Sequence, residues 1–355
     1  MDLEQLSNAF GVSSVEGEVR KIIIDAVQAR ADEWRVDTMG NLFVTRKRRK
    51  ATASSPLRVM VTAHMDEVGF MISEIKSDGR LKFKPIGGFD RRVLLGKALV
   101  VGKERLPGVI GLKPVHLLKS GEAENVGSID SMYIDIGASN SQDSPVKVGE
   151  FATFATKFGY LGGRARQPRG QGLVKGKALD NRAGCAVLLE LLKGDYPVDL
   201  IAVFTVQEEI GLRGARVAAY ATDPELAFIL ECTAADDLPD PDDSDRDDGF
   251  PRLGHGPAIT VMDRSLIADR RLVDLLIETA EAEGLPYQFK RPGIGGTDAG
   301  AVHLTRAGVP SGVVSIPTRY IHSPAAILDL ADFWNMVKLM QAALQRLPTL
   351  DLSRS

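Results

Sequence analysis

A chain of 355 residues exceeds the usual size of one domain, so it is expected to fold as two domains or as one large domain carrying an insertion. With 44 basic against 47 acidic residues the formal net charge is -3, which leaves no cationic field to recruit nucleic acid, and 6% aromatic content argues against binding by base stacking. Residues 1–5 lack a basic and apolar leader, no apolar run is long enough to span a bilayer, and the two cysteines, Cys185 and Cys232, suit a reducing compartment, so a cytoplasmic protein binding neither nucleic acid nor membrane is expected.

Residues 19–29 carry apolar side chains at helical spacing, and 34–45 read as two strands turning at Thr38-Met39-Gly40-Asn41. The basic run Arg46-Lys47-Arg48-Arg49-Lys50 has no interleaved aromatics and reads as a solvated loop, continued by 51–56. The run 57–63 suits a central strand ending at His64, and strand ends are where chemistry collects in α/β folds. From about Val68 to about Arg164 the texture changes to short β-prone pieces, such as 70–75, 81–86, 98–101, 108–111 and 132–136, separated by turns. That stretch predicts an inserted all-β barrel or sandwich, read as a separate domain.

Strand and helix alternate again further on. Helices are expected at 182–192, 213–221, 272–283, 298–307 and 325–347, and strands at 200–206, 226–230, 287–290 and 310–316. This is the pattern of an α/β domain built on a helix-flanked sheet. The segment 236–248 holds eight aspartates and one arginine and reads as a solvated loop, with an attraction for basic peptides as its alternative role.

Histidines and carboxylates recur just after the expected strands: His64 and Asp66, then Glu208 and Glu209, then Glu231, then His322. Such ends converge on one sheet edge, where imidazole nitrogen and carboxylate oxygen suit divalent metal ions. In His64-Met65-Asp66 the carboxylate is placed to hold the second N–H of a ligating imidazole. Glu208 and Glu209 leave an apolar strand together, so one can ligate while the other moves a proton between water and a leaving amine. Asp180 precedes a helix and is either a ligand or an N-cap. Glu231 is either a ligand or an exposed strand terminus, and His322 is a better ligand candidate than His116, His255 or His303. Asp298 either orients a substrate amine or caps the helix that follows it.

These residues stand in Ala63-His64-Met65-Asp66-Glu67-Val68-Gly69-Phe70, Gly87-Gly88-Phe89-Asp90, Gly108-Val109-Ile110-Gly111, Lys177-Ala178-Leu179-Asp180-Asn181-Arg182, Gln207-Glu208-Glu209-Ile210-Gly211, Gly296-Thr297-Asp298-Ala299 and Arg319-Tyr320-Ile321-His322-Ser323-Pro324. Over nearly its whole length the chain resembles the dinuclear metallo-aminopeptidases, a family of glutamyl and tetrahedral (TET) aminopeptidases that includes proteins formerly labelled cellulases. The resemblance implies a catalytic α/β domain with a mixed sheet, residues 1–68 and 165–355, interrupted by a barrel-like dimerisation domain, 69–164. It implies two divalent ions, zinc or cobalt with manganese also compatible, bridged by Asp180. His64 and Glu231 complete one site, Glu209 and His322 the other. Glu208 is the implied general base and acid, and Asp66 is counted with it as catalytic through its hold on the His64 ring. Family members commonly have aspartate where this chain has Glu231, which leaves the metal's identity open.

The implied reaction is hydrolysis of the N-terminal peptide bond of a peptide, in a dimer that in related proteins builds a hollow tetrahedral dodecamer. A carboxypeptidase or deacylase sharing the two-metal core is the nearest alternative. A metal-free glycosidase would leave the recurrent histidines unexplained. A non-catalytic metal-binding scaffold is the third reading.

Overall fold

The computed structural model describes residues 2–49, 56–117, 127–162, 172–238 and 249–352. Lys50 with the loop 51–55, the expected domain boundary near Arg164 and most of the acidic segment, 239–248, lie outside the described residues.

The larger sheet runs in the order Glu33–Val36, Leu42–Arg46, Asp199–Thr205, Arg58–His64, Leu226–Ala234, Ser311–Arg319, Ala326–Asp329, Leu173–Gly176, Gly159–Tyr160, with Ala258–Thr260 and Gln288–Phe289 off this path. Its four central strands, Asp199–Thr205, Arg58–His64, Leu226–Ala234 and Ser311–Arg319, are parallel. Parallel strands covered on both faces need near-continuous apolar sequence. That is why Val59, Met60 and Val61, or Phe228, Ile229 and Leu230, are fully buried. The helices Gly17–Val27, Leu179–Leu191, Arg213–Thr222, Arg270–Ala282 and Leu330–Arg346 supply the covering layers. All four central strands deliver their carboxyl ends to one edge. There Thr205 pairs with His64, and Ile229 pairs with Thr62, which carries Glu231 level with His64.

Gly69–Ile75, Leu81–Ile86, Ala98–Val101, Leu106–Gly111, Tyr133–Asp135 and Phe151–Phe154 close into an antiparallel barrel. Of the two all-β forms expected for this stretch, the barrel is the one observed. Its core is separate from that of the large sheet. Phe70 lies at its centre, edge-on to Phe83 and Phe154 at centroid distances of 5.0 and 5.5 Å.

Three local expectations need correction. The expected helix 325–347 opens as a strand, Ala326–Asp329, because these residues pair with both Leu173–Gly176 and the end of Ser311–Arg319. The helix starts only at Leu330, after Asp329 accepts a hydrogen bond from the Ala331 N–H. The expected helix 298–307 shrinks to Ala299–Val302. The strand expected at 226–230 continues to Ala234, so Glu231 projects from within it. No helix among the described residues is long and apolar enough to cross a membrane.

A buried ionic knot joins the barrel to the sheet just beyond His64. The Lys177 ammonium donates to both Glu67 carboxylate oxygens, at 2.7 and 2.8 Å, and to the Ala9 carbonyl. Glu67 also accepts from the Gly11 N–H and from Thr153 Oγ1 on the barrel, while Arg182 stands 3.5 Å away. Burial pushes the Lys177 ammonium down to about 8 against the pull of Glu67. Removing one partner of a buried pair strands the other charge. Lys177→Met is therefore expected to lower unfolding free energy by about 3 kcal/mol, the low end for such a loss because Arg182 remains beside Glu67. Chemical denaturation checks this, and a loss under about 1 kcal/mol would mean that Arg182 alone suffices.

Candidate metal centre

His64 ends its strand with the ring buried. Its Nδ1 lies 3.1 Å from the Asp66 backbone carbonyl oxygen and 3.5 Å from Asp66 Oδ1, which fixes the ring. The opposite nitrogen, Nε2, faces Asp180 Oδ1 at 3.4 Å, Glu231 Oε2 at 3.6 Å and Glu208 Oε2 at 3.9 Å. His322 Nε2 faces the other Asp180 oxygen, Oδ2, and Glu209 Oε2, both at 3.3 Å. Thus the two oxygens of one carboxylate each address a different imidazole.

Asp180 is free to do so because it does not cap the helix. Asp180 and Asn181 have non-helical backbone angles, and Asn181 Oδ1 accepts the Gly184 N–H in the capping position. The Asn181 side-chain amide also donates to the Leu230 carbonyl, next to Glu231. Asp298 makes no capping bond either. It is fully buried, accepts from Thr205 Oγ1 at 2.6 Å and is pushed up to about 7 by burial.

The Glu208-Glu209 doublet is held from behind by contacts that the linear motif does not reveal. Asp66 accepts the Glu208 N–H at 3.0 Å, the Glu209 N–H at 3.2 Å and the Ser13 hydroxyl at 2.6 Å. Glu16 accepts the Gln207 N–H, and burial raises its carboxyl to about 7. Gln207 itself has φ 58°, and His322 has φ 57°, a region that non-glycine residues enter at a cost of order 1 kcal/mol. Those two bends aim the doublet and the second imidazole across the same cavity.

Three groups have donor atoms within 4.8 Å of one another: His64, Asp180 and Glu231; Asp180, Glu209 and His322; and His64, Glu208 and Glu209. Among the described residues none includes His116, His255 or His303, and the His303 ring instead meets the Ala299 carbonyl. The crowding of acids shows in their protonation. Burial, reinforced by Asp180, raises Glu209 to about 8 despite His322, and burial also raises Glu231 and Glu208 despite His64. Asp180 is the exception, since the two facing imidazoles of His322 and His64 outweigh burial and hold its carboxyl low. Burial would depress His322, yet Asp180 and Glu209 lift its ring to about 9.

Asp180 Oδ1 and Glu231 Oε1 are buried without a hydrogen-bond partner. Orphaned carboxylate oxygens facing imidazole nitrogen in a shared cluster are the donor set of a divalent-cation site, and the residues present fit one. The cavity above them, about 450 Å³, is walled by Gly88 from beyond the barrel's second strand, by Leu212, Ile294 and Ile321, and by Lys290.

The sequence profile described as M42 glutamyl aminopeptidase matches residues 40–339. The chain is 33% identical over 363 residues to the lysyl aminopeptidase of Pyrococcus furiosus, covering 99% of this chain and 98% of that one. A TET aminopeptidase from a marine sediment archaeon of the Thaumarchaeota superposes with a TM-score of 0.89 at 35% identity, over 98% and 96% of the two chains. The Pyrococcus horikoshii TET1 peptidase, described as assembling into a tetrahedron or a large octahedral shell, matches with a TM-score of 0.81 at 33% identity, over 96% and 97%. With motif, fold and paired acid–imidazole cluster in agreement along the full chain, this protein belongs to the M42 glutamyl aminopeptidase family and is a metal-dependent aminopeptidase.

Proposed function

We propose that two divalent ions, zinc or cobalt with manganese also compatible, serve this aminopeptidase, with His64, Asp180 and Glu231 holding one and Asp180, Glu209 and His322 the other. The observation that carries this reading is the split of Asp180, one oxygen toward each imidazole. Cations held there would polarise the scissile carbonyl and make water a better nucleophile. Glu208, at the cavity wall and 3.9 Å from His64, takes the proton from the attacking water on a carboxylate oxygen and returns it to the leaving amine nitrogen. Asp66 keeps Glu208 and Glu209 in register through their backbone N–H groups, and keeps His64 turned toward Asp180.

The substrate is a peptide with a free N-terminal amine. Homo-oligomerisation fits the likeness to shell-forming peptidases, with the β-barrel as the dimer contact and a tetrahedral dodecamer as the full assembly. The cytoplasm is the compartment that suits its two buried free cysteines.

Chelation is expected to abolish release of the first residue from an unblocked peptide. Zinc, cobalt or manganese should restore it, with two ions per chain by elemental analysis. An N-acetylated peptide should remain uncut. Chelator-resistant turnover, or cleavage of the acetylated peptide at an equal rate, would point instead to a metal-free hydrolase or a deacylase.

A further inference from the structure

Three consecutive residues at the start of the helix Leu179–Leu191 reach three different parts of the metal centre. Asp180 faces both imidazoles. The Asn181 side-chain amide donates to the Leu230 carbonyl at 2.7 Å, one residue before Glu231. Arg182 Nε donates to the Met65 carbonyl, also at 2.7 Å, one residue after His64. Asn181 and Arg182 are both fully buried. Glycine at position 184 makes room for this approach, since a Cβ there would collide with Asn181 Oδ1 and come within 3.0 Å of the Leu230 carbonyl oxygen.

Backbone pairing does not fix the spacing of these ligands. The ladder between Arg58–His64 and Leu226–Ala234 runs from Leu226 opposite Val59 to Ile229 opposite Thr62 and stops there, short of Glu231 and His64. Past that point the two strands pair only with their outer neighbours, His64 with Thr205 and Glu231 with Ser315. The helix start spans the opening, with one side chain on each strand end and the Asp180 carboxylate between them. Arg182 extends the tie, because Nη1 donates to the Leu6 carbonyl at 2.6 Å and Nη2 to the Gly11 carbonyl at 3.3 Å. That holds the segment whose Ser13 hydroxyl donates to Asp66. A planar guanidinium serves several carbonyls at fixed angles, which an ammonium cannot do. Donor distances around a metal ion tolerate errors of only about 0.2 Å, so a rigid span of this kind bears directly on affinity.

We propose that Asn181 and Arg182 are positioning residues that set the separation of His64, Asp180 and Glu231, and with it the affinity of the ion site these three form. The inference rests on the two-ion reading above. The second site is held differently, since Glu209 is fixed through its backbone N–H by Asp66 and His322 follows the separate strand Ser311–Arg319.

The test titrates the full chain, stripped of metal by a chelator, with cobalt(II) alone and reads the visible absorption of the bound ion. His322→Ala leaves the ligand set of His64, Asp180 and Glu231, whereas His64→Ala leaves that of Asp180, Glu209 and His322. In the His322→Ala background, Asn181→Ser and Arg182→Lys are each expected to weaken cobalt binding by about 10–100-fold, the usual cost of losing a group that orients a ligand. In the His64→Ala background the change should stay within about threefold. Serine still caps a helix, so Asn181→Ser separates the Leu230 tie from the cap, and it decides the matter if Arg182→Lys fails to fold. Lys177→Met, which cuts the adjoining ion pair with Glu67, should melt at a lower temperature yet bind cobalt like its parent. Equal weakening in both backgrounds, weakening that follows melting temperature across all three variants, or no weakening would show that the two residues serve the scaffold alone, and the assignment falls. Failure of the unsubstituted chain to bind two cobalt ions overturns the two-ion reading itself, and this inference with it.

Discussion

Glu208→Gln is expected to lower kcat by about 10²–10⁴-fold while leaving bound metal and KM nearly unchanged, the range that general acid–base catalysis supplies. Glutamine keeps the shape of the side chain and one carbonyl oxygen, but it cannot take a proton from water and return it. The backbone N–H that fixes residue 208 is held by Asp66 and survives the substitution. Burial and the neighbouring Glu231 and Glu209 raise the affinity of Glu208 for a proton, against the pull of His64. A group poised in that direction accepts a proton readily during turnover. Steady-state kinetics alongside elemental analysis decide the matter. Turnover within tenfold of wild type would remove Glu208 from the proton path, and loss of metal in the variant would recast it as a ligand. The second outcome is a real alternative, because Glu208 already forms a compact group with His64 and Glu209.

What the sequence makes legible follows from locality. His64 and the doublet Glu208-Glu209 mark the ends of strongly apolar runs, and the parallel register then brings them together without further information. Glu231 is half legible: its apolar run is plain, but the strand continues beyond it because Cys232, Thr233 and Ala234 pair with Ile316, Pro317 and Thr318. That pairing partner lies more than eighty positions away, beyond the reach of any local pattern. For Asp180 the local chemistry points equally to capping and to ligation. The decision is made by its neighbour Asn181, which takes the cap. Ser13, Glu16 and the Lys177–Glu67 pair leave no local signature, since each acts across tens to hundreds of positions. The backbone bends at Gln207 and His322 are equally hidden, because neither residue type favours positive φ and only the packed surroundings hold it there.

Asp180→Asn is expected to separate the two-ion reading from a single-ion one. If one carboxylate serves both sites, replacing one of its oxygens by an amide removes a donor from one site and presents N–H groups where a cation should sit. Loss of a group merely supporting a ligand costs about 10–100-fold in metal affinity, so loss of the shared ligand should exceed about 100-fold. The variant should therefore retain at most one ion per chain after dialysis, with kcat/KM reduced by about 10³-fold or more, since both ions lose their common anchor. The fold should persist, because the helix is capped by Asn181 and the Asp180 side chain contributes no hydrogen bond to the scaffold beyond the two imidazoles. Circular dichroism and melting temperature check that point independently of activity. Full occupancy by two ions with activity near wild type would mean that Asp180 bridges nothing. The two clusters would then act separately, and the third group, His64 with Glu208 and Glu209, would become the stronger candidate for the working site.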